Sequence, residues 1–380
     1  MSGDELARLP FLNDHHSHVS LYAAFEGLPD LSDLDKVAAL TLLRSLPADR
    51  LNVVKGWRTD RIDLGNGDLA DLPPALIVNS SLHGFSMTPS ALPLAAAAWP
   101  ELAERAGDAD WGERNLPGLF VFYGKAAGLD AAKLESFMDR MESLGLWSLE
   151  DMTLAGEEAF EIISSSRFAG RITVWATIDV YRDLSSRARQ SCKGVKLFLD
   201  GSLGAKSAAL DAPFAGGNEG RLLYADEDLE SKLSEIAGAS GGLAAHAIGH
   251  GAIEQALRCL RRLDREGIRF DRVRLEHVQF ISLEQARRCK DLGIVLSMQP
   301  NFNADSKDYA DRLVPRHRAE NNPLRMLIDE AGFVPGRDLV FGTDGMPHDP
   351  EFALRWSLSP EFEGQRLSFQ EFVAGYGGDA

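Results

Sequence analysis

Apolar positions in the second half of the chain follow two periods. Short runs, ITVWATI (172–178), GVKLFLDG (194–201), LAAHAIG (243–249), VRLEHVQF (273–280), IVLSMQP (294–300) and LVFGTDG (339–345), read as strands. Between several of them the spacing turns helical. Ile253, Ala256, Leu257, Leu260 and Leu263 form one stripe that Gly267 stops. Ser282 with Gln285 predicts a capping box, with Gly293 past the end of that helix, and Asn322-Pro323 opens another helix that closes at Gly332. Upstream, Leu134, Phe137, Met138 and Met141 make a stripe ending at Gly145, followed by the strand-like LWSLEDM (146–152). Repeated strand–helix units predict parallel strands joined by right-handed crossovers.

The segment from about 20 to 145 breaks this rhythm. It holds a capped helix near Ser32–Ser45, a turn-rich DLGNGDL and one strand-like run, ALIVNSS (75–81). It reads as a large insertion or lid after the first strand, within one domain spanning 1–380. The length of 380 residues suits several ordinary domains or one enlarged barrel. With 44% hydrophobic and 26% charged residues, a disordered chain is excluded. The formal charge of −17, spread along the chain, argues against nucleic acid and membrane surfaces as partners. MSGDELARLPFL lacks a secretory profile, and LPLAAAAW (92–99) falls short of the ~20 residues of a membrane span. Cys192, Cys259 and Cys289 form neither a disulfide framework nor a zinc-knuckle spacing. The expected location is the reducing cytoplasm.

Five places put chemistry at strand ends. In FLNDHHSHV, His16 and His18 stand two apart, so on a strand both imidazoles face one side and can reach one ion, with His15 turned away. Lys196 lies among Val195, Leu197 and Phe198. It either snorkels from a strand end or presents a neutral amine that captures CO2 as a bridging carbamate. His246 and His277 end apolar runs, and each alone could be a core histidine. Asp344 follows an apolar strand and alone reads as a turn or cap residue. The order is what makes the set specific: in a parallel barrel all these strand ends face one mouth, where catalytic groups gather.

Several segments resemble the amidohydrolase superfamily, and within it the branch of N-substituted formamide deformylase (amidohydrolase family 3). They are GVKLFLDGSLGAKSAAL, HAIGHGAI, RLEHVQ, SMQP, GTDGMP, LHGFSMTPSAL and VVKGWRTD. The resemblance implies a (β/α)8 TIM barrel, an α/β fold, with one or two divalent ions, most often Zn2+. With the lysine strand as reference, LWSLEDM and ITVWATI become barrel strands two and three, and ALIVNSS stays in the insertion. The resemblance further implies that His16, His18 and Asp344 hold one ion, His246 and His277 a second, and N-carboxylated Lys196 bridges both. Asp344 would shuttle the proton during hydrolysis of an amide-type C–N bond, other than a peptide bond, in a small-molecule substrate. His83 is the candidate for contact with the substrate or its carbonyl.

This sequence departs from the branch at His250, where an Asp is usual, and too few residues flank the pattern for the usual β-sandwich domain. The barrel surface that such a domain covers is then expected to lie under the insertion or under a second subunit, as in a homodimer. Trp57, His83, His250, His317 and His348 are candidates for the mouth, with His317 and His348 read otherwise as surface loop residues. Decarboxylation, isomerisation or deamination at the same metals is the competing chemistry. A retired, non-catalytic regulatory barrel would have lost ligands, and none is missing here.

Overall fold

The computed structural model describes residues 9–58, 61–80 and 82–377. Eight parallel strands form one sheet that curls into a nearly closed barrel. In sheet order they are β1 (Leu12–Ser17), β5 (Leu146–Asp151), β6 (Ile172–Thr177), β7 (Cys192–Phe198), β8 (Gly242–Ala247), β9 (Arg272–His277), β10 (Val295–Met298) and β11 (Leu339–Phe341). LWSLEDM and ITVWATI are the second and third barrel strands. Three further strands, β2 (Asn52–Trp57), β3 (Ala75–Asn79) and β4 (Phe85–Met87), form a separate small sheet. Among the described residues all named strands belong to these two sheets.

The chain packs as two compact units. One comprises the chain up to Val19 together with Phe137 onward, and the other is Ser20–Ser136. The expected insertion of 20–145 differs from the second unit by the end of the helix Ala131–Ser143 and the turn at Gly145.

In the first unit, crossover helices carry the apolar stripes read from sequence. The helix His250–Arg265 buries Ala252, Ile253, Ala256, Leu257, Leu260 and Leu263, and Gly267, at φ 82°, turns the chain beyond its end. Ser282 and Gln285 form the capping box of the helix Leu283–Asp291. The helix after Pro323 differs from expectation, because beyond Leu324 and Arg325 it is π-helical, over Met326–Glu330.

The seam of the barrel lies between β1 and β11, and side chains close it. Asp14 accepts hydrogen bonds from Thr343 N (2.8 Å), Thr343 Oγ1 (2.5 Å) and His16 N (3.1 Å), and the Asp344 amide donates to His16 O (2.7 Å). Gly342 permits this approach: a Cβ there would lie 2.3 Å from His16 N and 2.9 Å from Asp14 Oδ1.

The second unit contains two strands, β2 and β4, beyond the single run expected there. Both faces of its sheet are covered, which explains the unbroken apolar ALIV of β3. Val53, Leu76 and Val78 join one cluster with Leu119, Phe120 and Tyr123, while Val54, Ala75 and Ile77 join another with Leu31, Ala39 and Leu43. Among the described residues no helix is long and apolar enough to cross a membrane.

Candidate metal centre

Asp14 and His16 lie at alternate positions of β1, and His18 follows directly after the strand. His16 and His18 present Nε2 to Asp344 Oδ1, at 3.6 and 3.1 Å, and all three ligand atoms lie within 4.8 Å of one another. The other ring nitrogens are taken up: His16 Nδ1 is 2.6 Å from Glu276 Oε2, and His18 Nδ1 is 2.7 Å from Thr153 Oγ1. With the Nδ1 protons donated to these oxygens, the Nε2 lone pairs face Asp344, the orientation by which outer partners prepare a metal-binding imidazole.

A line of ring contacts joins the four histidines. His18 meets His16 (5.6 Å between centroids), His16 meets His277 (4.7 Å) and His277 meets His246 (4.5 Å). His277 Nδ1 is set by Gln299 Oε1 at 2.8 Å. His246 Nε2 lies 3.0 Å from Gly201 O, so its proton sits on Nε2 and its lone pair on Nδ1. Phe198 stacks on His246 and Phe302 on His277, giving this half an apolar wall. The backbone is strained where ligands project: His277, Val278 and Asp344 have φ of 71°, 41° and 58°.

Lys196 does not snorkel. It is 1% exposed, and its Nζ is buried with no hydrogen-bond partner. Burial lowers its pKa to about 8, against the opposing pull of Glu276 and Asp344. His16 and His277 are driven well below the usual histidine range, first by burial and then by neighbouring cationic groups including Lys196. Burial alone would raise the Asp344 carboxyl, but His16, His18 and Lys196 outweigh it and hold it low. A buried amine without a partner among neutral imidazoles and a carboxylate is costly by itself. The donor set is what one or two divalent cations would satisfy. These residues therefore fit a metal centre.

Sequence reasoning missed the layer beneath. Arg274, fully buried, donates through Nε to Glu276 Oε1 (2.5 Å), through NH1 to Glu150 Oε2 (2.9 Å) and through NH2 to His15 O (2.8 Å). Lys193 Nζ (3.1 Å) and Trp175 Nε1 (2.6 Å) also reach Glu150. Glu276 thus links this ladder to His16. The available signal was spacing: Asp14 is two residues before His16, and Arg274 two before Glu276, so each pair shares a strand face.

His83 belongs to the unit Ser20–Ser136, where its Nδ1 is 3.1 Å from Glu113 Oε1. Trp57, in the same unit, donates its indole N–H to Ile62 O (2.9 Å). The reading of His317 and His348 as surface residues fails, for they are 0% and 7% exposed. His348 Nε2 lies 2.8 Å from Ser17 Oγ, against the ring of Phe137, and burial lowers its pKa to about 3. His250 and His317 meet instead beside Asp211.

A model of the amidohydrolase family matches residues 130–371. The protein YtcJ of Bacillus subtilis (strain 168) is 31% identical over 122 residues, and the Arabidopsis thaliana protein LONG AFTER FAR-RED 3 is 35% identical over 133 residues. These matches cover 31% and 33% of this chain but 23% and 22% of those proteins, so the matched part spans less than a quarter of either relative. The fold matches the crystal structure of an uncharacterized metal-dependent hydrolase from Pyrococcus furiosus. That match has a TM-score of 0.69 at 21% identity, covering 97% of this chain and 80% of that one.

Proposed function

The chain belongs to the amidohydrolase family, and from that premise we propose that it is a metal-dependent hydrolase cleaving an amide-type C–N bond, other than a peptide bond, in a small molecule. One observation carries the reading: two histidines with outward Nε2 atoms and a strained Asp344 converge at the mouth of a barrel that also buries an unpartnered Lys196 amine. In this reading His16, His18 and Asp344 would hold one ion, His246 and His277 would hold a second, and Lys196, N-carboxylated by CO2 with release of a proton, would add a carboxylate donor between them. Bound divalent cations, Zn2+ foremost, supply Lewis acidity that activates water near neutral pH and polarises a carbonyl.

The remaining work falls to the chain. Asp344, held by the hydrogen bond its backbone amide donates to His16 O and by His18, accepts the proton of the attacking water on a carboxylate oxygen. It then returns that proton to the leaving nitrogen, acting first as base and then as acid. Glu276 and Thr153 keep the two imidazoles from rotating during this transfer. The apolar rings of Phe198 and Phe302 limit water beside His246 and His277.

The test is a screen of protein reconstituted with zinc and bicarbonate against N-formyl amines, N-acyl amines and cyclic amides, scored by release of a free amine. Amine release that a chelator abolishes is the expected result. Release of CO2 or ammonia instead would assign the lyase or deaminase chemistry, and turnover unaffected by chelation would overturn the reading.

A further inference from the structure

A second cluster stands outside these ligands, and the fold builds it with care. Asp200, buried after β7, accepts hydrogen bonds from Ala209 N (2.9 Å), Ile248 N (3.0 Å) and Gly249 N (2.8 Å). This clamp lays the loop after β7 on the start of the helix His250–Arg265, where Gly251 N donates to Ala209 O (2.8 Å). The approach needs glycine, since a Cβ on Gly249 would lie 2.3 Å from the Ala209 backbone. Asp211, two residues on, is thereby set beside His250. The third member, His317, is fully buried in the helix Pro315–Glu320. That helix is tied down by Asn321, whose amide donates to His317 O (3.0 Å) and whose side chain accepts from Gln279 (3.0 Å).

The three side chains offer ligand atoms that all lie within 4.8 Å of one another. His317 Nε2 is 2.8 Å from Asp211 Oδ1, and His250 Nδ1 is 3.7 Å from the same oxygen. The second distance is too long for a hydrogen bond, and His250 Nδ1 is buried without a partner. Two ligands of one tetrahedral ion lie roughly 3.4 Å apart, a value that falls between the two separations. A cation already stands there: Arg316 NH2 donates to Asp211 Oδ1 and lies 3.0 Å from His317 Nε2. Its side chain is half exposed, and Glu320 Oε1, 3.7 Å from NH1, can receive it when it leaves.

We propose that Asp211, His250 and His317 form a second divalent-cation site, suited to a first-row ion such as Zn2+, with the Arg316 guanidinium as a resident cation that the metal displaces. Two imidazoles and one carboxylate make a donor set that favours such ions over Ca2+ or Mg2+. None of these residues is a ligand in the barrel reading, so the two stand or fall separately.

The test is equilibrium dialysis of the full chain against Zn2+, with bound metal counted by mass spectrometry and affinity measured against a competing chelator. His250→Ala should bind one equivalent fewer than wild type. Arg316→Gln should bind that equivalent about tenfold tighter, its internal competitor being gone. Equal equivalents in wild type and His250→Ala would overturn the proposal, as would unchanged affinity in Arg316→Gln. Should His250→Ala fail to fold, the Arg316→Gln comparison decides alone.

Discussion

Replacing Arg274 by methionine keeps most of the side-chain volume and removes the charge between two buried carboxylates. Glu150 would retain Lys193 and Trp175, whereas Glu276 would retain His16. Removing one partner of a buried pair costs about 3–5 kcal/mol, because the other charge is left uncompensated. That is about a fifth or more of the stability of a typical domain, about 5–15 kcal/mol. Burial raises both carboxyls, and Arg274 is the foremost group holding each of them low, so both are left exposed to the loss. Arg274→Lys should recover only part of the loss, as one ammonium cannot bridge Glu150, Glu276 and the His15 carbonyl together. The assay is urea denaturation followed by far-UV circular dichroism, in excess chelator so that metal binding does not contribute. A double-mutant cycle with Glu276→Gln should show coupling of about 2 kcal/mol or more, since neutralising Glu276 removes the charge that Arg274 balances. A cost below about 1 kcal/mol for Arg274→Met, or strict additivity in the cycle, would refute the reasoning.

Lys196→Met should lower bound zinc and abolish turnover while leaving the chelated protein about as resistant to urea as wild type, because the buried amine it removes makes no hydrogen bond; a clear loss of stability would make the lysine structural. Asp344→Asn should retain metal and lose about 10² or more in turnover, and an unchanged rate would assign the proton transfer elsewhere. His348 has a folded pKa of about 3 against 6.5 free, so below pH 6.5 the unfolded chain takes up a proton that the folded chain refuses. Stability is therefore lost as pH falls from 6.5 toward 3, by about 1.4 kcal/mol per unit from this group. His348→Gln should flatten the acid limb of a urea series by about that slope, and parallel limbs would contradict it. His83→Ala should lower kcat/KM about tenfold if the residue contacts substrate, and an unaltered value would remove it from the site.

The strands that carry the candidate ligands were legible for two reasons: His16 and His18 stand two residues apart at β1, and His246, His277 and Asp344 lie in or just after the apolar runs of β8, β9 and β11. The interior beneath them was not. Arg272, Arg274 and Glu276 alternate with Val273 and Leu275, a pattern that ordinarily marks a solvated strand face. Here Arg274 and Glu276 are both fully buried, and ion pairs fill that layer of the barrel. Periodicity reports which residues share a side and is silent on whether that side meets water. The same blindness hid His317 and His348, whose polar neighbours in sequence suggest a surface. β2 escaped notice for another reason: in NVVKGW the apolar run is only two residues long, and its strand character comes from pairing with β3.

The seam described above fixes when this centre can exist during synthesis. Its histidine pair is translated long before the acid that completes it; Asp14 and Thr343, which join the two edges, are 329 residues apart in the chain. At about 5–20 residues per second, roughly 15–65 s separate the two at the ribosome. Throughout that interval His16 and His18 are without their Asp344 neighbour, and the barrel has an unsealed edge. Assembly of the full set of candidate donors coincides with closure of the last strand, so metal loading into this geometry would be an event of the finished barrel.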